Sequence, residues 1–144
     1  MTDSATPIDS AFLEQKHKHF DLLCRNLGLE AGLQENGDGY GIASAAAGNV
    51  RVFFEHERGL CGFAVGAVDD AKPLCSAEEL ALRFPRIRVL SEGHQRLDLD
   101  EQRQFIEDHW SDLQVMFSAD HIGETRSWHR AAAAAYMEQL SGKK

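Results

Sequence analysis

Apolar residues recur at helical spacing near both ends of the chain and at alternate positions in its middle. Over Pro7–Leu27 they stand three, four or seven positions apart, which predicts an amphipathic helix. From Leu29 to Val68 the period changes to two, as in strands with one buried face. Helical spacing returns over Asp98–Phe117 and Glu124–Leu140. This order predicts an α+β fold.

The first helix has signals at both ends. Thr6 is a capping residue, Pro7 takes the first helical position and Asp9 stands three after the cap. Gly28 is expected to end the helix in the left-handed conformation. The side chains expected to face the core are those of Phe12, Leu13, Phe20, Leu23, Cys24 and Leu27.

Two histidines in this helix are expected to lie in solvent. His17 and His19 fall outside the apolar set. Residues two apart on a helix point about 200° apart, so the two rings cannot hold one metal ion together.

The middle of the chain is predicted to form an antiparallel meander of three or four strands. Val50, Val52 and Phe54 alternate with the polar residues Arg51 and Glu55. Turn chemistry separates the strands at residues 36–39, 48–49 and 57–59. One face of such a sheet must be covered, and the flanking helices are the natural cover.

After the sheet the pattern is helical again. A short helix is expected to begin at Ser76 and to end at Pro85, with an extended piece over Arg86–Leu90. The last helix, Glu124–Leu140, has Trp128 as one anchor and Tyr136 as the other.

The segment Asp98–Phe117 is the most informative stretch. Asp98 with Glu101 resembles a capping box that starts the helix. One sector of the helix, which includes Trp110, is expected to be core, and carboxylates gather opposite. The expected core residues are Leu99, Ile106, Trp110, Leu113 and Phe117, and the opposite carboxylates are Glu101, Asp108 and Asp112.

Most of the net charge lies in this region. The stretch from Asp98 to Asp120 holds seven carboxylates against the single cation Arg103, a net −6 of the chain's −8. A concentrated negative field steers a basic protein surface into contact. The alternative is a solubilising helix surface.

Length and composition indicate one domain, residues 1–144, with ordinary globular proportions. No apolar run approaches the roughly 18 residues of a membrane span, and the start lacks the pattern of a signal peptide, so a cytoplasmic location is expected. Cys24, Cys61 and Cys75 are far apart and are expected to be reduced and buried.

Catalytic and nucleic-acid signals are missing from the sequence. It has no His-Glu-x-x-His, no Gly-x-Ser-x-Gly and no paired cysteines, so no enzyme, cofactor or metal is expected. A chain at −8 repels phosphate, and the basic residues form only a local cluster at Arg83, Arg86, Arg88 and Arg96.

The layout resembles that of small bacterial immunity proteins, which neutralise secreted polymorphic toxins. The resemblance is carried by the amphipathic first helix, by the meander segments Arg51–Glu55 and Arg58–Phe63, and by the closing segment Gln104–Ser118. It implies a stoichiometric inhibitor, encoded beside a toxin that acts in the cytosol, which occludes the toxin's active site. The partner-binding residues would then be Glu101, Glu107, Asp108 and Asp112.

Two alternatives remain open. Small acidic chaperones of type III secretion resemble the first half of the chain, but they should have a second hairpin where Leu97–Leu140 reads as helix. A small enzyme would require turnover without a partner. The sequence leaves the stoichiometry and the oligomeric state open.

Overall fold

The computed structural model describes residues 10–37, 40–57, 60–77, 80 and 97–141. The chain begins with a helix in three parts: α1 (Ser10–Gln15), a π-helical turn (Lys16–Phe20) and α2 (Asp21–Leu27). These parts are called the N-terminal helix below. Gly28 ends it with φ 66° and donates its N–H to the carbonyl of Cys24, as the sequence predicted.

A sheet of sequential antiparallel strands follows, in the order β1-β2-β3-β4-β5. This confirms the α+β fold and the meander. A fifth strand of two residues, which pairs with Ala64 and Val65, was not expected. The strands are β1 (Glu30–Gly37), β2 (Tyr40–Ala47), β3 (Val50–Glu57), β4 (Leu60–Ala67) and β5 (Cys75–Ser76).

The first four strands are equal in length. Each has eight residues, and two residues separate each strand from the next. Gly48, in the turn between β2 and β3, has φ 60°, which suits a tight hairpin. The two turns at 38–39 and 58–59 lie outside the described residues.

Three helices follow: α3 (Leu99–Asp108), α4 (Trp110–Met116) and α5 (Ile122–Ser141). The predicted helix Asp98–Phe117 is therefore divided at His109. Among the described residues, no helix is both long and apolar enough to cross a membrane.

The core lies between one face of the sheet and the helices that cover it, namely the N-terminal helix, α3 and α4. The ring of Phe20 stacks at 6.0 Å from Phe54 and lies 6.4 Å from Phe63, and Phe12 stacks at 6.1 Å from Phe54. All four rings are buried. A smaller buried cluster on the opposite face consists of Ile42, Phe53 and Ala64.

Two expectations about the N-terminal helix were wrong. His19 is buried, with its side chain 7% exposed, whereas that of His17 is 84% exposed. Seven residues, or about two helical turns, separate His19 from Phe12, so both rings lie on the same side of the helix. Leu13, about 100° from Phe12, is exposed instead of facing the core.

Several sequence predictions lie outside the described residues. These are the helix start at Thr6 and Pro7, the helix end at Pro85, the extended piece Arg86–Leu90 and the arginine cluster from Arg83 to Arg96. Ala77 and Leu80 are helical, in keeping with the helix expected from Ser76. For the last helix, Trp128 packs against the core.

Gly41 provides the space that Phe12 occupies. A Cβ at this position would collide with the ring of Phe12. We expect Gly41→Ala to lower the free energy of unfolding by about 1–3 kcal/mol, since overpacking forces the ring or the strand to shift. Denaturant melts measure the change. Phe12→Leu replaces the ring with a smaller side chain. In that background Gly41→Ala should lower the free energy of unfolding by less.

Gly123→Ala is the matched control, because nothing lies within 4 Å of a Cβ there. It stands in the first turn of α5, so alanine should be neutral or stabilising by up to about 1 kcal/mol. Equal losses at Gly41 and Gly123 would contradict the packing account.

Candidate functional site

The helix that carries the charge begins with the predicted capping box. The Asp98 carboxylate accepts from the backbone N–H of Glu101 at 2.8 Å, and the Glu101 carboxylate accepts from the N–H of Asp98 at 2.9 Å. Both bonds satisfy N–H groups that a helix start leaves unpaired. The start of α3 is thereby fixed.

Gln102 attaches α3 to the sheet. Its Oε1 accepts from the backbone N–H of Phe63 at 2.8 Å, and its Nε2 donates to the carbonyl of Leu97 at 2.8 Å. Phe63 stands one residue before the two β4 residues that pair with β5. The Gln102 side chain thus continues the pairing of β4 where the short fifth strand stops.

Gln114 attaches α4 to the turn between β2 and β3. Its Oε1 accepts from the N–H of Asn49 at 2.8 Å, and its Nε2 donates to the carbonyl of Ala47 at 3.0 Å. The side-chain Nδ2 of Asn49 donates to the backbone carbonyl of Gln114 at 3.0 Å. A side chain at Gly48 would collide with Gln114. The two helices are therefore held to the sheet by a glutamine each.

With these anchors in place, the side of α3 and α4 that is buried against the sheet differs from the predicted sector. Trp110, expected in the core, is only half-buried, whereas Phe105 is fully buried. Gln102 and His109 are buried too, and they lie between Phe105 and the apolar stripe. At about 100° per residue, the centre of the buried side lies roughly 50° around the helix axis from the centre of the predicted sector. Ile106, Leu113 and Phe117 are buried as expected.

The predicted carboxylates Glu101, Asp108 and Asp112 lie in solvent, together with Asp100. We call these four residues the acidic face. The side chain of Asp112 is 61% exposed and that of Asp100 is 71% exposed. Asp108 accepts from Gln104 at 2.9 Å, one turn earlier. The rotation of the helices leaves this side open.

Glu107 is placed differently from the other predicted carboxylates. It accepts from Arg103 Nη1 at 2.9 Å and from Asn26 Nδ2 at 2.7 Å, and its side chain is only 16% exposed. It therefore joins α3 to the N-terminal helix and neutralises the one cation of the segment. The structure does not bring Glu107 to the acidic face.

His19 adds a second contact between the same helices. Its buried Nδ1 lies 3.4 Å from Oδ1 of the exposed Asp100 and forms no hydrogen bond. Burial lowers the pKa of His19 from 6.5, and it outweighs the opposing effect of the Asp100 carboxylate; Lys18 and Arg103 lower the pKa further. Sequence spacing from Phe12 could have identified this ring as buried.

Stability should depend on pH through His19. Because the folded-state pKa is lowered, the unfolded chain binds more protons as the pH falls below 6.5. Above pH 6.5 His19 should therefore not reduce the free energy of unfolding. Below pH 6.5 the free energy of unfolding should decline as the pH falls. His19→Gln should flatten that decline in melts at several pH values, and His17→Gln, at an exposed position, is the control. An unchanged slope in His19→Gln would contradict the assignment.

Gln102 generates a stability prediction. Gln102→Leu leaves the buried N–H of Phe63 without its partner, so the free energy of unfolding should fall by about 1–3 kcal/mol. Gln104→Leu, at an exposed position of the same helix, should change it by less than about 0.5 kcal/mol. Denaturant melts of both variants measure the difference, and equal effects would argue against the anchor.

No group of three His, Cys, Asp or Glu side chains among the described residues is placed to hold a metal ion. His109 Nδ1 lies 3.3 Å from Asp112, and His121 Nδ1 lies 3.1 Å from the Ser118 hydroxyl. Each of these contacts is local to one helix end.

Comparison with protein-family models, with curated proteins and with solved structures finds no match for this chain. The functional proposal therefore rests on the geometry and charge of the site.

Proposed function

We propose that this protein binds and neutralises a basic protein partner through the acidic face, as an immunity protein does with a toxin that acts in the cytosol. The observation that carries the proposal is the exposed set of carboxylates on α3 and α4. The one arginine in these two helices, Arg103, pairs with Glu107 at 2.9 Å and lies 3.9 Å from Asp100. Such a surface attracts a basic surface, and it can cover an active site that binds phosphate.

The rigid attachment of the helices supports this use. Two glutamines bind the backbone of the sheet, so the carboxylates are held at fixed positions before a partner arrives. A preorganised surface loses less side-chain freedom on binding than a flexible one. This distinguishes the acidic face from charges on a mobile segment.

An exposed apolar side chain lies beside the carboxylates. Val115 is 54% exposed and stands three residues after Asp112, on the same side of α4. Protein interfaces commonly place an apolar contact within a polar surround. Val115 thus gives the acidic face a short-range contact in addition to its long-range field.

The test uses the protein encoded beside this chain as the candidate toxin, because the resemblance implies such a neighbour. The triple variant Glu101→Gln, Asp108→Asn, Asp112→Asn should associate about tenfold to a thousandfold more slowly, and its association rate should respond less to salt. Its stability should hardly change, since exposed charges contribute about 0–1 kcal/mol each. Stopped-flow measurements at low and high salt give the rates.

The matched control is Glu14→Gln, Asp69→Asn, Glu124→Gln, which removes the same charge from exposed positions off α3 and α4. It should keep most of the association rate and should still protect cells that express the toxin. Equal rates and salt slopes in the two triple variants would reduce the acidic face to a solubilising surface. Failure of the native chain to bind or protect would overturn the proposed function.

A further inference from the structure

The first strand of the sheet has a partner strand on one side only among the described residues. β1 pairs only with β2 in the strand order of the described residues. Its residues Glu30, Ala31, Gly32, Gln34 and Glu35 are all exposed. An edge strand of this kind presents backbone N–H and C=O groups that a further strand can bind.

A groove runs between this edge and the N-terminal helix. Its volume is about 270 Å³. Phe20, Cys24 and Leu29 supply apolar surface on one side, and Ala31 and Ala43 supply it on the other. Burial, assisted by Asp21, raises the pKa of the Cys24 thiol to about 11, so this thiol is uncharged at neutral pH.

Side-chain size explains why the groove is open. The N-terminal helix packs its rings on Phe54 and Phe63, which lie on β3 and β4. Most residues of the groove floor on β1 and β2 are small, and Gln34 is the one with a long side chain: Ala31, Gly32, Gln34, Ala43 and Ser44. Small residues cannot fill the space between a helix and an edge strand that lies beyond its main contacts.

Charge differs between the two sides of the β1 edge. Lys16, Asp21 and the exposed Arg25 line the groove on the helix side. Lys16 pairs with Asp21 at 3.0 Å, so Arg25 supplies the net positive charge of this side. Glu30 and Glu35 pair with Ala46 and Ile42, and Ile42 belongs to the cluster on the opposite face of the sheet. The two glutamates thus lie on the side away from the groove, because strand neighbours alternate between faces.

We propose that the outer edge of β1 binds a short extended segment of a partner polypeptide by strand addition. Apolar and acidic side chains of that segment would enter the groove beside Arg25, and basic side chains would face Glu30 and Glu35. This binding site is separate from the acidic face and does not depend on the function proposed for that face.

Two features select a short foreign segment over a second copy of the chain. The register of β1 shifts between Ala31 and Gln34, so a long straight strand cannot pair along its whole length. A second copy would bring its own Glu30 and Glu35 to an edge that already has them, in a chain with net charge −8. Like charges across neighbouring strands are destabilising.

The probe is the capped synthetic peptide Ser-Leu-Lys-Glu-Lys-Leu-Ser. Its alternate positions place leucine and glutamate on one side and lysine on the other, and its symmetry allows either strand direction. In NMR titrations of the full chain, amide shifts should be confined to β1 and α2. The charge-exchanged peptide Ser-Leu-Glu-Lys-Glu-Leu-Ser should bind at least about tenfold more weakly.

Two variants with matched controls locate the site. Ala31→Leu fills the groove from an exposed position and should weaken the first peptide at least about tenfold, whereas Ala131→Leu, at an exposed alanine of α5, should not. Arg25→Glu should remove most of the preference between the two peptides. Arg130→Glu makes the same charge change at an exposed position of α5 and should preserve the preference.

The proposal is overturned by absent binding, by equal affinity for the two peptides, or by shifts centred on the acidic face. It is also overturned if sedimentation shows a dimer and the amides of β1 are the ones affected by dilution, because a second copy then occupies the edge. Shifts centred on the acidic face would support binding of a basic partner there, whereas the other outcomes leave the function proposed for that face unaffected.

Discussion

The ring of Phe54 is the contact on which most of this structure depends. It lies 6.1 Å from the ring of Phe12, 6.0 Å from that of Phe20 and 5.1 Å from that of Phe63, so it joins the N-terminal helix to two strands. Phenylalanine rings supply large buried apolar areas, and this cluster places them over β3 and β4. Because the helix is centred there, it leaves an open groove beside β1.

The strand pattern was readable from the sequence because each hairpin is local. Period-two alternation and two-residue turns fix which residues pair, and the capping box at Asp98 is fixed by side chains three positions apart. The rotation of the following helices was not readable. Hydrophobic spacing treats Gln102 as a solvent-facing residue, yet it is buried because the N–H of Phe63, 39 residues away, needs a partner at that place.

The carboxylates also differ in whether local spacing or a distant contact determines their positions. Glu101, Asp108 and Asp112 could be assigned to solvent from helical spacing alone, since nothing distant binds them among the described residues. Glu107 stands next to Asp108 in sequence, and only the fold shows that Asn26, 81 residues away, donates to it. The free edge of β1 is also a property of the fold, because alternation identifies a strand without showing which strands end the sheet.

The acidic face and the β1 edge make opposite demands on a partner. α3 bonds to β4, which is three strands from β1, or about 14 Å at the usual strand spacing. The two surfaces therefore lie toward different edges of the sheet. The acidic face favours a basic folded surface, whereas the groove favours acidic and apolar side chains on an extended segment. A uniformly basic protein can therefore satisfy only one of them. A partner that used both would need a basic domain joined to a short strand of alternating charge.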